Sequence, residues 1–337
     1  MRERKVAPDS FSYSSAIAAC EKGVKPHEAL QLFSEMKQKG IPIHEQTYGA
    51  VIAACEKGIL WQQAIELFAE MPQAKITPNL VCYSSAVSAC EKGRQWERAL
   101  SLLAEMRNRE AGGGQKIVPD LIIFNSAISA CEKCQEWENA LVLLADMQKQ
   151  SLQEDLFTFG AIVSAMAAGK KWQLALAQLA RMRECGLPPN AFSCNAAITA
   201  CEKCGEWQQA LALVAGMRHF GPEPGLISYN AALSACQRVG AWEWAVVLME
   251  DLKAGALHPS LQSFSCGIKA CAAGGRWQEC WAMLQQMHAS AVDPDNSVYN
   301  VVAGACEVGE QRQHVLTLLA EALQDGLASC VYIRAQS

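Results

Sequence analysis

Apolar positions along this chain fall in short bursts with helical spacing, separated by polar or glycine-containing turns. From Leu80 to Glu91, Tyr83, Val87 and Cys90 recur at helical spacing with small Ala86 and Ala89 between them, which predicts a helix packed closely on its neighbours. Lys92-Gly93 predicts the turn, and a second helix follows from about Gln95. It carries Trp96, Ala99, Leu100, Leu103 and Met106 on one side and Glu97, Arg98 and Glu105 on the other. The same two-helix pattern recurs along the chain, and proline marks its end at Pro78, Pro119, Pro189, Pro224, Pro259 and Pro294. Two helices this short cannot bury an apolar stripe alone, so the pattern predicts pairs stacked on pairs, an all-α solenoid.

The repeat register is explicit. Cysteines fall at Cys20, Cys55, Cys90, Cys131, Cys201, Cys236, Cys271 and Cys306, with Met166 in the remaining slot. The step is 35 residues except for 41 between Cys90 and Cys131, where a glycine-rich insertion surrounds Gly112-Gly113-Gly114. Six residues after each slot stands Trp61, Trp96, Trp137, Trp172, Trp207, Trp242 or Trp277, with Pro26 and Arg312 in the first and last units, as expected of atypical ends. This divides the chain into nine repeats: 10–44, 45–79, 80–120, 121–155, 156–190, 191–225, 226–260, 261–295 and 296–330. Residues 1–9 fit the tail of a preceding repeat, which leads us to expect further repeats upstream, and 331–337 form a C-terminal tail.

Composition narrows the function classes. With 51% of its 337 residues hydrophobic the chain can build a large core, yet no apolar run reaches the roughly 18 residues of a membrane span, so no membrane partner is expected. Sixteen cysteines in so long a chain without a secretory signal suit a reducing compartment. A net charge of −5 excludes nucleic-acid binding by bulk positive charge and requires locally placed cations.

Trp opens the second helix here, whereas the tetratricopeptide pattern places Trp, Leu-Gly and Tyr in the first. Leu226-Ile227-Ser228-Tyr229-Asn230-Ala231-Ala232-Leu233 and Leu121-Ile122-Ile123-Phe124-Asn125-Ser126-Ala127-Ile128 resemble instead the pentatricopeptide repeat (PPR). The endings agree, with Ala99-Leu100 leading to Glu105-Met106 and then to Pro119-Asp120, and the resemblance covers essentially the whole chain. It implies a right-handed α-solenoid of about nine helix-turn-helix units that binds single-stranded RNA, one base per repeat. RNA-processing proteins would be further partners; no cofactor and no small-molecule substrate are implied. The family's usual setting implies a chloroplast or mitochondrion and a role in processing, stability, splicing, editing or translation of transcripts.

By the same resemblance, the first reading position follows the aromatic slot: Ser14, Gly49, Ser84, Asn125, Gly160, Asn195, Asn230, Ser265 and Asn300. Its partner is the last residue of the unit: His44, Asn79, Asp120, Asp155, Asn190, Gly225, Ser260, Asp295 and Cys330. The family's pairing rules make Ser84/Asp120 and Ser265/Asp295 read G, Asn125/Asp155 read U and Asn230/Ser260 favour C. Asn195/Gly225 and Asn300/Cys330 suggest a pyrimidine, and the glycine units a purine, while Ser14/His44 lies outside the rules. From the second repeat onward the implied site is 5′-R-G-U-R-Y-C-G-Y-3′. Helix capping is the alternative role for these Asn, Ser and Asp residues.

Two further rows accompany the reading positions. Lys22, Lys57, Lys92, Lys133, Lys203 and Arg238 stand two residues after the cysteine and would face phosphates, or simply favour the helix dipole; the Glu before five of them would form a separate acidic stripe. Phe11, Val81, Ile122, Phe157, Phe192 and Ile227, with polar Gln46, Gln262 and Ser297 in the other units, would sandwich bases by the resemblance, or be buried against the next repeat.

Other motifs carry less. Cys131-x-x-Cys134 and Cys201-x-x-Cys204 occupy the same slots two units apart, on the order of 20 Å in a stacked array, too far to share one zinc ion. The tryptophan row lies at core phase and is read as packing. The six histidines occupy different slots and form no catalytic pairing, Gly112-Gly113-Gly114-Gln115-Lys116 lacks the spacing of a phosphate-binding loop, and the residues point to no enzyme. A solenoid that holds an extended peptide is the second reading left open.

Overall fold

The computed structural model describes residues 9–111 and 117–309, and every regular element among them is an α-helix. The chain divides into two compact units, Met1–Gly169 and Lys170–Ser337. The first holds α1 (Ser10–Lys22), α2 (Pro26–Gln38), α3 (Glu45–Lys57), α4 (Trp61–Gln73), α5 (Leu80–Lys92), α6 (Trp96–Ala111), α7 (Leu121–Cys134), α8 (Trp137–Lys149) and α9 (Leu156–Ala168). The second holds α10 (Trp172–Glu184), α11 (Ala191–Cys204), α12 (Trp207–Phe220), α13 (Leu226–Val239), α14 (Trp242–Ala254), α15 (Leu261–Ala273), α16 (Trp277–Ala289) and α17 (Asn296–Val308). The division falls in the turn between α9 and α10, inside one expected repeat. The expected tail at 1–8, the insertion at 112–116, Arg312, Cys330 and 331–337 lie outside the described residues.

Within the first unit α1, α3, α5, α7 and α9 pack in succession, and each even helix fills the space between the odd helix before it and the one after. The second unit repeats this with α11, α13, α15 and α17 in succession. The aromatic slot supplies the largest fully buried side chains: Tyr48, Tyr83, Phe124 and Phe159 in the first unit, Phe264 and Tyr299 in the second. Aromatic edges join successive pairs, with Phe33 on α2 and Tyr48 on α3 at a centroid distance of 5.0 Å and Phe68 and Tyr83 at 4.8 Å. In the first unit a methionine near the end of each second helix, Met36, Met71, Met106 and Met147, closes the core from the other side.

Gly205, Gly240 and Gly275 take the left-handed conformation that a turn glycine suggests, but four other turn glycines play a different part. Gly93 has a φ of −80°, open to any residue, and the left-handed conformation belongs to the next residue, Arg94 at φ 53°. What demands glycine is the tryptophan of the preceding pair. A Cβ on Gly93 would stand 2.4 Å from Cγ of Trp61, and one on Gly169 2.3 Å from Cδ1 of Trp137. Gly274 and Gly309 meet Trp242 and Trp277 in the same way at 2.4 Å. Four tryptophans of the row, Trp61, Trp137, Trp242 and Trp277, therefore pack, as expected, and the place they pack is the bare backbone of the following turn.

Candidate nucleic-acid interface

The N-terminal end of each first helix gathers the residues singled out above. Its N-cap is the last residue of the preceding repeat, and the side chain there accepts the backbone N–H three positions on. Asn79 takes that of Cys82 at 2.9 Å, Asp120 that of Ile123 at 3.0 Å and Asp155 that of Thr158 at 2.8 Å. In the second unit Asn190, Ser260 and Asp295 do the same for Ser193, Ser263 and Val298 at 2.8, 3.3 and 2.8 Å. Capping is thus a real duty of these residues, and each cap uses one oxygen. His44 makes no side-chain cap, and Gly225 has no side chain to make one.

One step into the helix stands the apolar row. Phe11, Val81, Ile122, Phe157, Phe192 and Ile227 are all exposed, between 56% and 79%, so burial against the next repeat is not their role. Three residues further, on the same helical face, comes the polar row. Ser14 and Ser84 are half-buried, as are Asn195, Ser265 and Asn300, while Asn125 and Asn230 are 9% exposed. The pair read as specific for U meets directly: Nδ2 of Asn125 lies 3.3 Å from both carboxylate oxygens of Asp155. Asn195 and Asn230 turn Oδ1 to the hydroxyls of Ser228 and Ser263, each at 2.6 Å, and Asn125 does so to Thr158 at 2.6 Å. Ser14 shares a hydrogen with Thr47 at 2.8 Å. Sequence reasoning missed this hydroxyl row, although its signal was present as Ser or Thr one place before the aromatic slot.

At the other end of the first helices, the cations and acids do not form separate stripes. Each acid reaches forward to the next repeat: Lys57 pairs with Glu21 at 2.8 Å, Lys92 with Glu56 at 2.6 Å and Lys133 with Glu91 at 2.9 Å. The two rows diverge by about 100° on one helix, yet each of these acids meets the lysine of the neighbouring helix. Ser129 also donates to Glu91, and where no lysine follows, Ser164 donates to Glu132 at 2.6 Å. In the second unit Ser234 donates to Glu202 at 2.7 Å, Lys203 is half-buried and Arg238 is exposed, as is Lys22 in the first unit. The lysines of these pairs are exposed to about a third or more and the acids less so, and pairs of this kind are worth about 0–1 kcal/mol each.

The cysteine pairs have structural partners. Burial pushes Cys131 and Cys201 up to about 12, which keeps them as thiols, and Cys134 and Cys204 donate to the carbonyls of Arg94 and Lys170, each at 3.2 Å. Among the described residues no group of three or more His, Cys, Asp or Glu could hold a metal ion, and no helix is long and apolar enough to cross a membrane.

A family model described as the pentacotripeptide-repeat region of PRORP matches residues 1–153 and 114–308. Among solved structures the chain is similar to the pentatricopeptide repeat protein PPR10 from maize, with 19% identity and a TM-score of 0.58, covering 96% of this chain and 50% of that one. The same maize protein in complex with an 18-nt psaJ RNA element matches with 22% identity and a TM-score of 0.56, over 95% and 51% of the two chains. Nuclear proteinaceous RNase P 2 (PRORP2) from A. thaliana matches with 16% identity and a TM-score of 0.51, over 56% of this chain and 41% of that one. The chain thus spans about half the length of the maize structures it matches, and no curated protein sequence matches it. With its 35-residue register, its stacked helix pairs and a family model matching nearly all of its described length, the chain belongs to the pentatricopeptide repeat family.

Proposed function

We propose that this protein binds single-stranded RNA, one base per repeat, and acts by occupancy rather than by catalysis. The observation that carries the reading is the paired face of the first helices. Six exposed apolar side chains, Phe11, Val81, Ile122, Phe157, Phe192 and Ile227, each stand three residues before a reading position, which is a polar side chain in five of the six and Gly160 in the other. An exposed apolar side chain stacks on the face of any base, and a polar group beside it meets the edge. Asn, Ser and Asp supply compact donors and acceptors for that edge, with the letters implied by the family rules, and the cation row supplies phosphate contacts. The similarity of the fold to a maize protein whose structure includes an RNA element supports the same ligand class. Family membership supports an organellar setting, chloroplast or mitochondrion, in transcript processing, stability, splicing, editing or translation, with RNA-processing proteins as partners.

The test is a binding selection of the purified chain against a random single-stranded RNA pool, followed across a salt series. Enrichment of a G-U-x-Y-C-G core is expected, with log affinity falling linearly with log salt at about 0.7 per phosphate contact. Absence of any enriched sequence, with binding only at low salt, would reject this reading in favour of a peptide-binding solenoid.

A further inference from the structure

At three of the asparagines in the first reading position, a hydroxyl from the next repeat holds the side chain. Asn125 meets Thr158, Asn195 meets Ser228 and Asn230 meets Ser263, all at 2.6 Å. Two of the three serine readers face an apolar residue there, Ile123 for Ser84 and Val298 for Ser265, while Ser14 shares a hydrogen with Thr47 at 2.8 Å. Thr158, Ser228 and Ser263 are fully buried, so a ligand does not touch them directly.

The direction of each hydrogen bond is set by the backbone. The N-cap N–H of Asp155, Gly225 and Ser260 points at the hydroxyl oxygen, at 3.4, 3.3 and 3.1 Å. That occupies the oxygen as acceptor and leaves its proton to donate to Oδ1 of the asparagine. The relay is cleanest at Ser228, because Gly225 has no side chain to compete; at Thr158 the Asp155 carboxylate lies 2.8 Å away as a second acceptor. With Oδ1 committed, the amide can offer only its NH2 group to a ligand. An amide free to turn could offer either end and would accept purine and pyrimidine edges alike. We infer that the hydroxyls of Thr158, Ser228 and Ser263 are positioning residues for base choice, locking the asparagine of the preceding repeat as a hydrogen-bond donor toward pyrimidine carbonyl oxygens.

This inference rests on the base-reading register proposed above, and the experiment separates the two. Affinities are measured for four RNAs that carry the expected site with A, C, G or U at its fifth letter, the one assigned to Asn195. Ser228→Ala should erase the pyrimidine preference at that letter by roughly three- to tenfold while preferences at the other letters stand, and Ser228→Thr should keep it. Asn195→Ser serves as the control. If it changes the fifth-letter preference and Ser228→Ala does not, the hydroxyl has no positioning role. If neither variant changes it, the register itself fails and the inference with it. A gain-of-function arm is independent of any loss of stability: Ser84→Asn alone should discriminate poorly at the second letter, and Ser84→Asn with Ile123→Thr should prefer a pyrimidine there. Equal preference in both would overturn the inference.

Discussion

The two ends of the first helix in each repeat obey different rules. At the C-terminal end the same contact is made over and over: a turn glycine lies bare under the tryptophan of the preceding pair, and an acid pairs with the lysine of the next. At the N-terminal end the backbone is equally regular, but the side chains change from repeat to repeat, as Asn125 over Thr158 and Ser84 over Ile123 illustrate. One end fixes how repeats stack. The other is free to differ because its side chains meet solvent, or a ligand, on one side. A protein that must keep its pitch while varying its specificity needs this separation.

The sharpest way to break the comparison is to ionise the buried cysteine row beside the packing end. Burial holds Cys90, Cys131, Cys201 and Cys236 up to about 12 against an ordinary 9.0, so the folded chain keeps protons that the unfolded chain releases. The stability this represents is fully present below pH 9 and is lost as pH rises toward 12. Thermal melts should show a steep fall in midpoint across that window, and a flat profile would show that these thiols are not shielded. Next in size is Gly93→Ala, whose new methyl group collides with Trp61; about 1–3 kcal/mol of stability should be lost in denaturant titrations. Base preference at every letter should survive it, because the clash lies at the other end of the helix. The smallest effect sharpens the contrast: Asp120→Ala removes the cap on Ile123 and should cost about 1 kcal/mol. Unlike the glycine substitution, it should also relax the preference for G at the second letter of the site, measured on single-base RNA variants.

Much of this was legible in the sequence, and the failures share one cause. Helices, turns and the rows of equivalent residues follow from spacing along one segment. The capping alternative for Asp120 and Asp155 was legible too, since a cap acts within three residues. The acidic stripe was misjudged because Glu56 and Lys57 diverge on one helix, whereas the partner of Glu56 is Lys92, one repeat away. Lys92-Gly93 signals a turn through its sequence neighbours, whereas the tryptophan that requires glycine there is 32 residues earlier. The hydroxyl row escaped notice for the same reason, with Thr158 acting on an asparagine 33 positions back.

By itself, then, the sequence determined the period, the helix pairs, the buried face of each helix and the rows of candidate contact residues, because each depends on a local periodicity that the chain writes nine times. Only the tertiary structure decided which row meets which. Stacking brings residues about one repeat apart into contact, as with Glu56 and Lys92, Asn125 and Thr158, and Trp61 and Gly93, and no local periodicity states which of them will meet.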